Sequence, residues 1–345
     1  MKLDTQEQLT ERQRTILRMI VGEYVAQAAP VGSKTLAQKY GLDFSAATVR
    51  NDMMVLEQAG YVYHPHPSAG RIPSDKGYRY YIESLMEDTD LPDEAKRHIS
   101  DQFQQAGLDM ALWVQLAAAM AARVARYVAM VTMPAAPKSK LKHIELVPVQ
   151  DKMFMLIVLL HEGILKQQIV NLADAVPEED LRTMAHRLTD IFRGLSAEDI
   201  TGTKATLTAV EAQVTQNVVK IMRQVDVGGY LDLHMEGIAH ILRQPEFARG
   251  DKVGVVLEAI QDNDVIGSLM PVALATKDVQ VFIGQENEWP PLRECSLVLC
   301  RYGVEGEVYG MLGLLGPTRM EYGRAISAVR YLSGALNNFV RQVYC

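Results

Sequence analysis

Residues 33–79 constrain the chain more tightly than any other stretch. They hold two short helical patterns with start and stop signals, then two brief extended segments around a glycine turn. Ser33 fits the N-cap of a helix that Gly41 closes, and Ser45 fits the N-cap of the next, which Gly60 closes. Upstream, Thr10 and Gln13 fit a capping box ahead of an apolar stripe at Ile16, Leu17, Ile20, Val21 and Tyr24. Pro30 and Gly32 end the connection that follows. After Gly60, Tyr61–Tyr63 alternates as a strand does, and Pro65 and Pro67 stop it. Ser68-Ala69-Gly70-Arg71 then turns, with the Arg71 guanidinium expected at its tip, and Ser74 caps a helix through Tyr78, Tyr81 and Leu85. Three helices followed by a small hairpin make a winged helix-turn-helix, expected over residues 1–88.

The third helix carries the candidate contacts. Val49, Met53 and Leu56 share a face and should pack on the first two helices. Ala47, Asn51, Met54 and Gln58 point the other way, with Thr48 and Arg50 on the flanks. Asn pairs bidentately with adenine, and Arg with guanine or phosphate, so this face suits the major groove of duplex DNA. A wing arginine reaches phosphate or the minor groove. The candidate DNA-binding residues are Ser45, Thr48, Arg50, Asn51, Ser68 and Arg71. Other readings stand beside this one. The same unit occurs in protein–protein modules, Asn51 also suits a solvated surface, and Arg50 also suits an ion pair with a neighbouring acid.

Two pairs of segments carry a family resemblance. SAATVRNDMMVLEQAGYV with HPSAGRIPSDKGYRYYI, and FIGQENEWPPLRECSLVLCRYG with GMLGLLGPTRMEYGRAISAVRYLSGAL, resemble the two ends of the heat-inducible transcription repressor HrcA family. Pro67 departs from the pattern, which has a small polar residue before SAGR. The resemblance implies an α+β multidomain chain. Its GAF-like domain, over 105–172 and 273–345, would be interrupted by an inserted, helix-rich dimerising domain over 173–272. It further implies a dimeric repressor of chaperone operons that binds an inverted-repeat operator (CIRCE). Heat inactivates such a repressor, and the GroEL chaperonin keeps it active. The alternative is a ligand-sensing regulator, controlled by a small molecule in the GAF-like domain.

Charge sharpens the DNA reading. Residues 1–86 hold ten Lys/Arg against nine Asp/Glu, and the remainder 25 against 33, for a net charge of −7. Non-specific affinity comes from phosphate neutralisation and counterion release. A nearly neutral head on an acidic body therefore has to gain affinity from base contacts and from pairing two heads on a two-fold site. His64 and His66 in the wing would gain charge near phosphate, although a plain turn role suits them equally.

The body parses into strands at His143–Val149, Met153–His161 and Ile164–Asn171, with Glu162-Gly163 as a turn. A second group lies at Val279–Gly284, Ser296–Arg301 and Tyr309–Leu315. A long buried helix is expected at about 108–132, a helix after Pro177, another carrying Val210 to Val225, and a last one at about 320–343 that Thr318 and Glu321 would cap. Enzyme signatures fail: there is no Walker loop, no G-x-S-x-G elbow, and Gly303–Gly316 lacks the order of a dinucleotide loop. No cofactor is expected. His234, Glu236 and His240 are poorly spaced for a metal. Cys295, Cys300 and Cys345 suggest free thiols rather than a disulfide framework. With no signal-peptide pattern, and Met153–Leu160 too short to span a bilayer, a cytoplasmic protein with no membrane partner is expected.

Overall fold

The computed structural model describes the chain except residues 1–8, 67–68, 136–137, 151, 162, 173, 229–232, 248–251, 305–307 and 345. The head begins with α1 (Glu11–Gln27), α2 (Ser33–Lys39) and α3 (Ala46–Gln58). The Thr10–Gln13 capping box forms at α1, and Ser45 caps α3 by accepting from the Thr48 amide. Gly41 and Gly60 both take the left-handed conformation that closes a helix (φ 55° and 78°). Ser33 departs from expectation. Gly32 is the N-cap of α2 and Ser33 its first residue, with no side-chain cap bond. Strands β1 (Val62–Tyr63) and β2 (Ile72–Pro73) pair antiparallel, Val62 with Pro73 and Tyr63 with Ile72. The helix α4 (Asp75–Tyr80), capped by Ser74, runs into a π-turn at Tyr81–Leu85.

After α5 (Asp93–Gln105) comes α6 (Met110–Ala125), which is shorter than the helix expected to 132. Arg126 turns left-handed (φ 62°) and ends α6, and the residues beyond form β3 (Val128–Thr132). All five residues of β3 are buried. A strand covered on both faces shows no alternation, so spacing cannot separate it from a buried helix.

The strands β4 (Leu141–Gln150), β5 (Met153–Leu160) and β6 (Leu165–Asn171) form one antiparallel sheet in the order of the chain. The helices α7 (Glu178–Phe192), α8 (Ala197–Gly202) and α9 (Ala209–Gly228) follow. Pro177 is the N-cap of α7. Then come β7 (Leu233–Glu236), α10 (Ile238–Leu242), α11 (Lys252–Gln261), α12 (Asn263–Leu274), β8 (Gln280–Ile283), β9 (Cys295–Val304), β10 (Val308–Pro317) and α13 (Tyr322–Tyr344). Strand β7, unforeseen from the sequence, joins a second sheet ordered β7-β3-β10-β9-β8. Thr318 does not cap the last helix. The helix starts at Tyr322, and Thr318 instead offers its carbonyl to the Tyr322 hydroxyl.

By contact the chain divides into two units. One holds residues 1–131, 234–301 and 311–339, the other residues 132–233, 302–310 and 340–345. The sequence-based division differs, because it grouped the 141–171 strands with the C-terminal part and residues 234–272 with the insertion. The physical reason is cover. Strand β5 buries every second residue, and Phe154, Leu156 and Val158 share one core with Leu181, Leu188 and Phe192 of α7 and Val214 and Val218 of α9. Thr189 ties α7 to β4 by accepting from the Ile144 amide at 3.0 Å inside that core. In the first unit Trp113 is stacked between Phe103 and Phe339, with ring centroids 4.3 and 3.8 Å away, which fastens α5 and α13 to α6. Cys295 and Cys300 lie on opposite faces of β9, and both are buried because that strand is covered on both sides.

Candidate nucleic-acid interface

The face of α3 is set by what lies beneath it. Val49, Met53 and Leu56 are fully buried. Ala47, Arg50, Asn51, Met54, Val55 and Gln58 are exposed, with Thr48 at the margin. Arg50 makes no ion pair among the described residues. Ser45 and Thr48 are held together by the cap, their hydroxyls 3.1 Å apart.

Two buried carboxylates tie the three helices together, Asp52 on α3 and Glu23 on α1, and neither was singled out from the sequence. Asp52 is 4% exposed and takes the Arg12 guanidinium in a fork, Nε to Oδ2 at 2.6 Å and Nη2 to Oδ1 at 3.2 Å. That bond, followed by the charge of Asp52, raises the Arg12 pKa. Glu23, also 4% exposed, accepts from Lys39 Nζ at 2.5 Å, Tyr40 Oη at 2.6 Å and Gln27 Nε2 at 2.7 Å. The Lys39 and Tyr40 bonds hold the Glu23 carboxyl below its ordinary value against burial, and Glu23 pushes the Tyr40 hydroxyl up to about 12. Thus α1 grips α2 through Glu23 and α3 through Asp52. The signal was present: Asp52 lies three residues after Val49 and four before Leu56, on the stripe that must be buried.

The wing differs from expectation at Arg71. Its backbone bridges Val31 in both directions at 2.9 Å, so residue 71 continues a strand instead of topping a turn. The side chain is 8% exposed and points back to α3, where Nη2 donates to Glu57 Oε2 at 3.1 Å. Strand pairing therefore turns inward the charge expected at the tip. Gly70 permits the bridge, because a Cβ there would lie 2.5 Å from the Val31 carbonyl. His64 Nδ1 lies 2.6 Å from the other oxygen of Glu57, and His66 is exposed. Burial would raise the Glu57 pKa, but His64 and Arg71 together outweigh it and leave the carboxyl lowered. Ser68 and Pro67 fall outside the described residues.

The same unit anchors the head from behind. Arg79 donates to both oxygens of Glu286 and, at 2.7 Å, to the Val281 carbonyl, while Asp75 accepts from the Gln285 amide at 3.0 Å. Arg319 forks onto Glu246, donates to Gln244 at 2.8 Å and reaches the Val25 carbonyl at 3.2 Å. Val25 belongs to the last turn of α1, whose carbonyls have no partner within the helix, so Arg319 satisfies one of them. Among the described residues no three His, Cys, Asp or Glu side chains come together as a metal site. Burial pushes the Cys295 thiol up to about 12, which keeps it protonated. Among the described residues no helix is long and apolar enough to cross a membrane.

Comparison with known proteins follows the same lines. Residues 8–85 match the family model described as the winged helix-turn-helix transcription repressor, HrcA DNA-binding. Residues 112–326 match that of the HrcA protein C terminal domain. A relative from Roseiflexus sp. (strain RS-1), named heat-inducible transcription repressor HrcA, is 39% identical over 97% of this chain and 96% of its own. One of the same name from Herpetosiphon aurantiacus is 39% identical over 98% and 97%. A crystal structure of a hypothetical protein superposes with a TM-score of 0.60 at 22% identity, covering 97% of this chain and 99% of that one, which speaks to fold alone.

Proposed function

The chain belongs to the HrcA family of heat-inducible transcription repressors, and we propose that it represses transcription by laying α3 in the major groove of an operator. The observation that carries this reading is the split face of α3. Its inner side is fully buried, the buried Asp52 carboxylate ties it to Arg12 of α1, and its outer side offers Arg50 and Asn51 without a competing ion pair among the described residues. In this reading Asn51 reads adenine and Arg50 takes guanine or phosphate. The hydroxyls of Ser45 and Thr48 sit where the amides of the first turn favour an anion, which suits backbone phosphate. Arg71 orients the wing through Glu57, and contact with the minor groove falls to the segment around His66 and Ser68.

The working form is a homodimer on an inverted repeat of the CIRCE type, dimerised through the helices α7 to α9. A nearly neutral head binds random duplex weakly, so two linked heads supply the affinity. The repressor acts in the cytoplasm on chaperone operons, and the GroEL chaperonin maintains it until unfolded proteins compete for the chaperonin in heat.

A gel-shift titration tests the reading. Full-length protein should prefer an inverted-repeat operator over scrambled duplex, with chaperonin raising the active fraction. Asn51→Ala should flatten the sequence preference, and Arg50→Ala should lower affinity. Equal binding of operator and scrambled duplex would refute it.

A further inference from the structure

We propose that Met54, flanked by Val55, is a base-reading residue that contacts the 5-methyl group of a thymine in the half-site. The inference rests on the reading of α3 as the groove helix. Met54 and Val55 are 43% and 39% exposed, two large apolar side chains next to each other on a helix whose core face is already filled. A scattered surface hydrophobe needs no explanation. These two stand three and four positions beyond Asn51, so all three share one patch, and Ala47 extends it one turn toward the N-terminus.

The chemistry of the patch is specific. In the major groove an A·T pair shows the adenine N7 acceptor and N6 donor, then the thymine O4 and its methyl group. The amide of Asn51 matches the adenine half of that edge. An unbranched, polarisable thioether one turn further on matches the methyl half, and its three rotatable bonds let it settle against it. The same face carries one guanidinium, Arg50, and no lysine. Donors directed at guanine are therefore scarce, while apolar surface is plentiful. Burying Met54 against a methyl group also removes from water an apolar surface that the free head exposes.

The test uses the full-length protein and an operator in which each thymine of one half-site is replaced in turn by deoxyuridine. This deletes one methyl group and keeps every hydrogen-bonding group. Wild-type protein should lose about fourfold in affinity at one or two positions, the equivalent of ~0.8 kcal/mol for one buried methyl-sized group. Met54→Ala should bind the unmodified operator several-fold more weakly and show no further loss at those positions, and Met54→Leu should regain sensitivity. Wild-type binding that is indifferent to every deoxyuridine, or Met54→Ala protein that keeps the full deoxyuridine loss, overturns the assignment. So does Met54→Ala protein that sediments as a smaller species, because the patch would then be a contact between protein chains. Wild-type protein that cannot tell the operator from scrambled duplex would instead bring down the groove-helix reading, and this inference with it.

Discussion

Arg71→Ala separates a structural arginine from a phosphate contact. The guanidinium makes a charge-assisted bond to Glu57, of a class that contributes about 1.5–3 kcal/mol. The Glu57 side chain is 32% exposed, so screening cuts that to about 1 kcal/mol. The buried stem adds ~0.8 kcal/mol per methylene, about 2 kcal/mol in all. Against this, the buried Nε has no hydrogen-bond partner among the described residues, and truncation relieves a desolvation cost of about 1 kcal/mol. The net is a head about 2 kcal/mol less stable. Hydrogen exchange reads this locally. Amides of α3 and of β1–β2 should exchange roughly 30-fold faster, since 1.4 kcal/mol is a factor of ten. The slope of log affinity against log salt should stay unchanged for the bound fraction. A phosphate-contacting Arg71 gives the opposite pair: unchanged exchange, and a slope smaller by about 0.9. That outcome would refute the inward-facing assignment.

Three further perturbations probe the frame around α3. Glu23→Gln should lower the denaturation midpoint at pH 7, by about 1–2 kcal/mol for the lost charge-assisted bonds. The folded carboxyl lies below its ordinary value, so its contribution is present above the ordinary carboxylate range and fades as pH falls through the lowered one. Wild-type and variant midpoints should therefore converge in acid. The same substitution should return the Tyr40 ionisation from about 12 toward 10 in an absorbance titration. Arg319→Ala leaves the Glu246 carboxylate and the Val25 carbonyl without their fork, so amide exchange in the last turn of α1 should rise, and Arg319→Lys should not restore it. Gly70→Ala forces a Cβ against the Val31 backbone, so operator affinity should fall more than tenfold while helical circular dichroism is kept.

What was legible in the sequence was local. The Thr10 box, the Ser45 and Ser74 caps and the closures at Gly41 and Gly60 each depend on residues within four positions, and each is found in place. Strands that alternate, such as β5, were legible for the same reason. Strand β3 was not, because burial on both faces erases the alternation, and the expected helix ran through it. Thr318 misled because a capping pattern states only what a side chain can do at a helix start, and the helix starts further on.

By itself, then, the sequence determined the winged helix, the outward face of α3 and the family to which the chain belongs, since short-range periodicity and contiguous motifs encode all three. Only tertiary structure decided where charge ends up. Arg71 turned inward because an antiparallel bridge to Val31, forty residues away, fixed the side of the wing it faces. Asp52 and Glu23 became anchors because Arg12 and Lys39 arrive from other helices. Strands β4 to β6 joined α7 and α9 because a sheet with one apolar face packs on whichever helices can cover it. Each depends on long-range pairing, and a lone charged residue or strand carries no mark of its partner in its own neighbourhood of the chain.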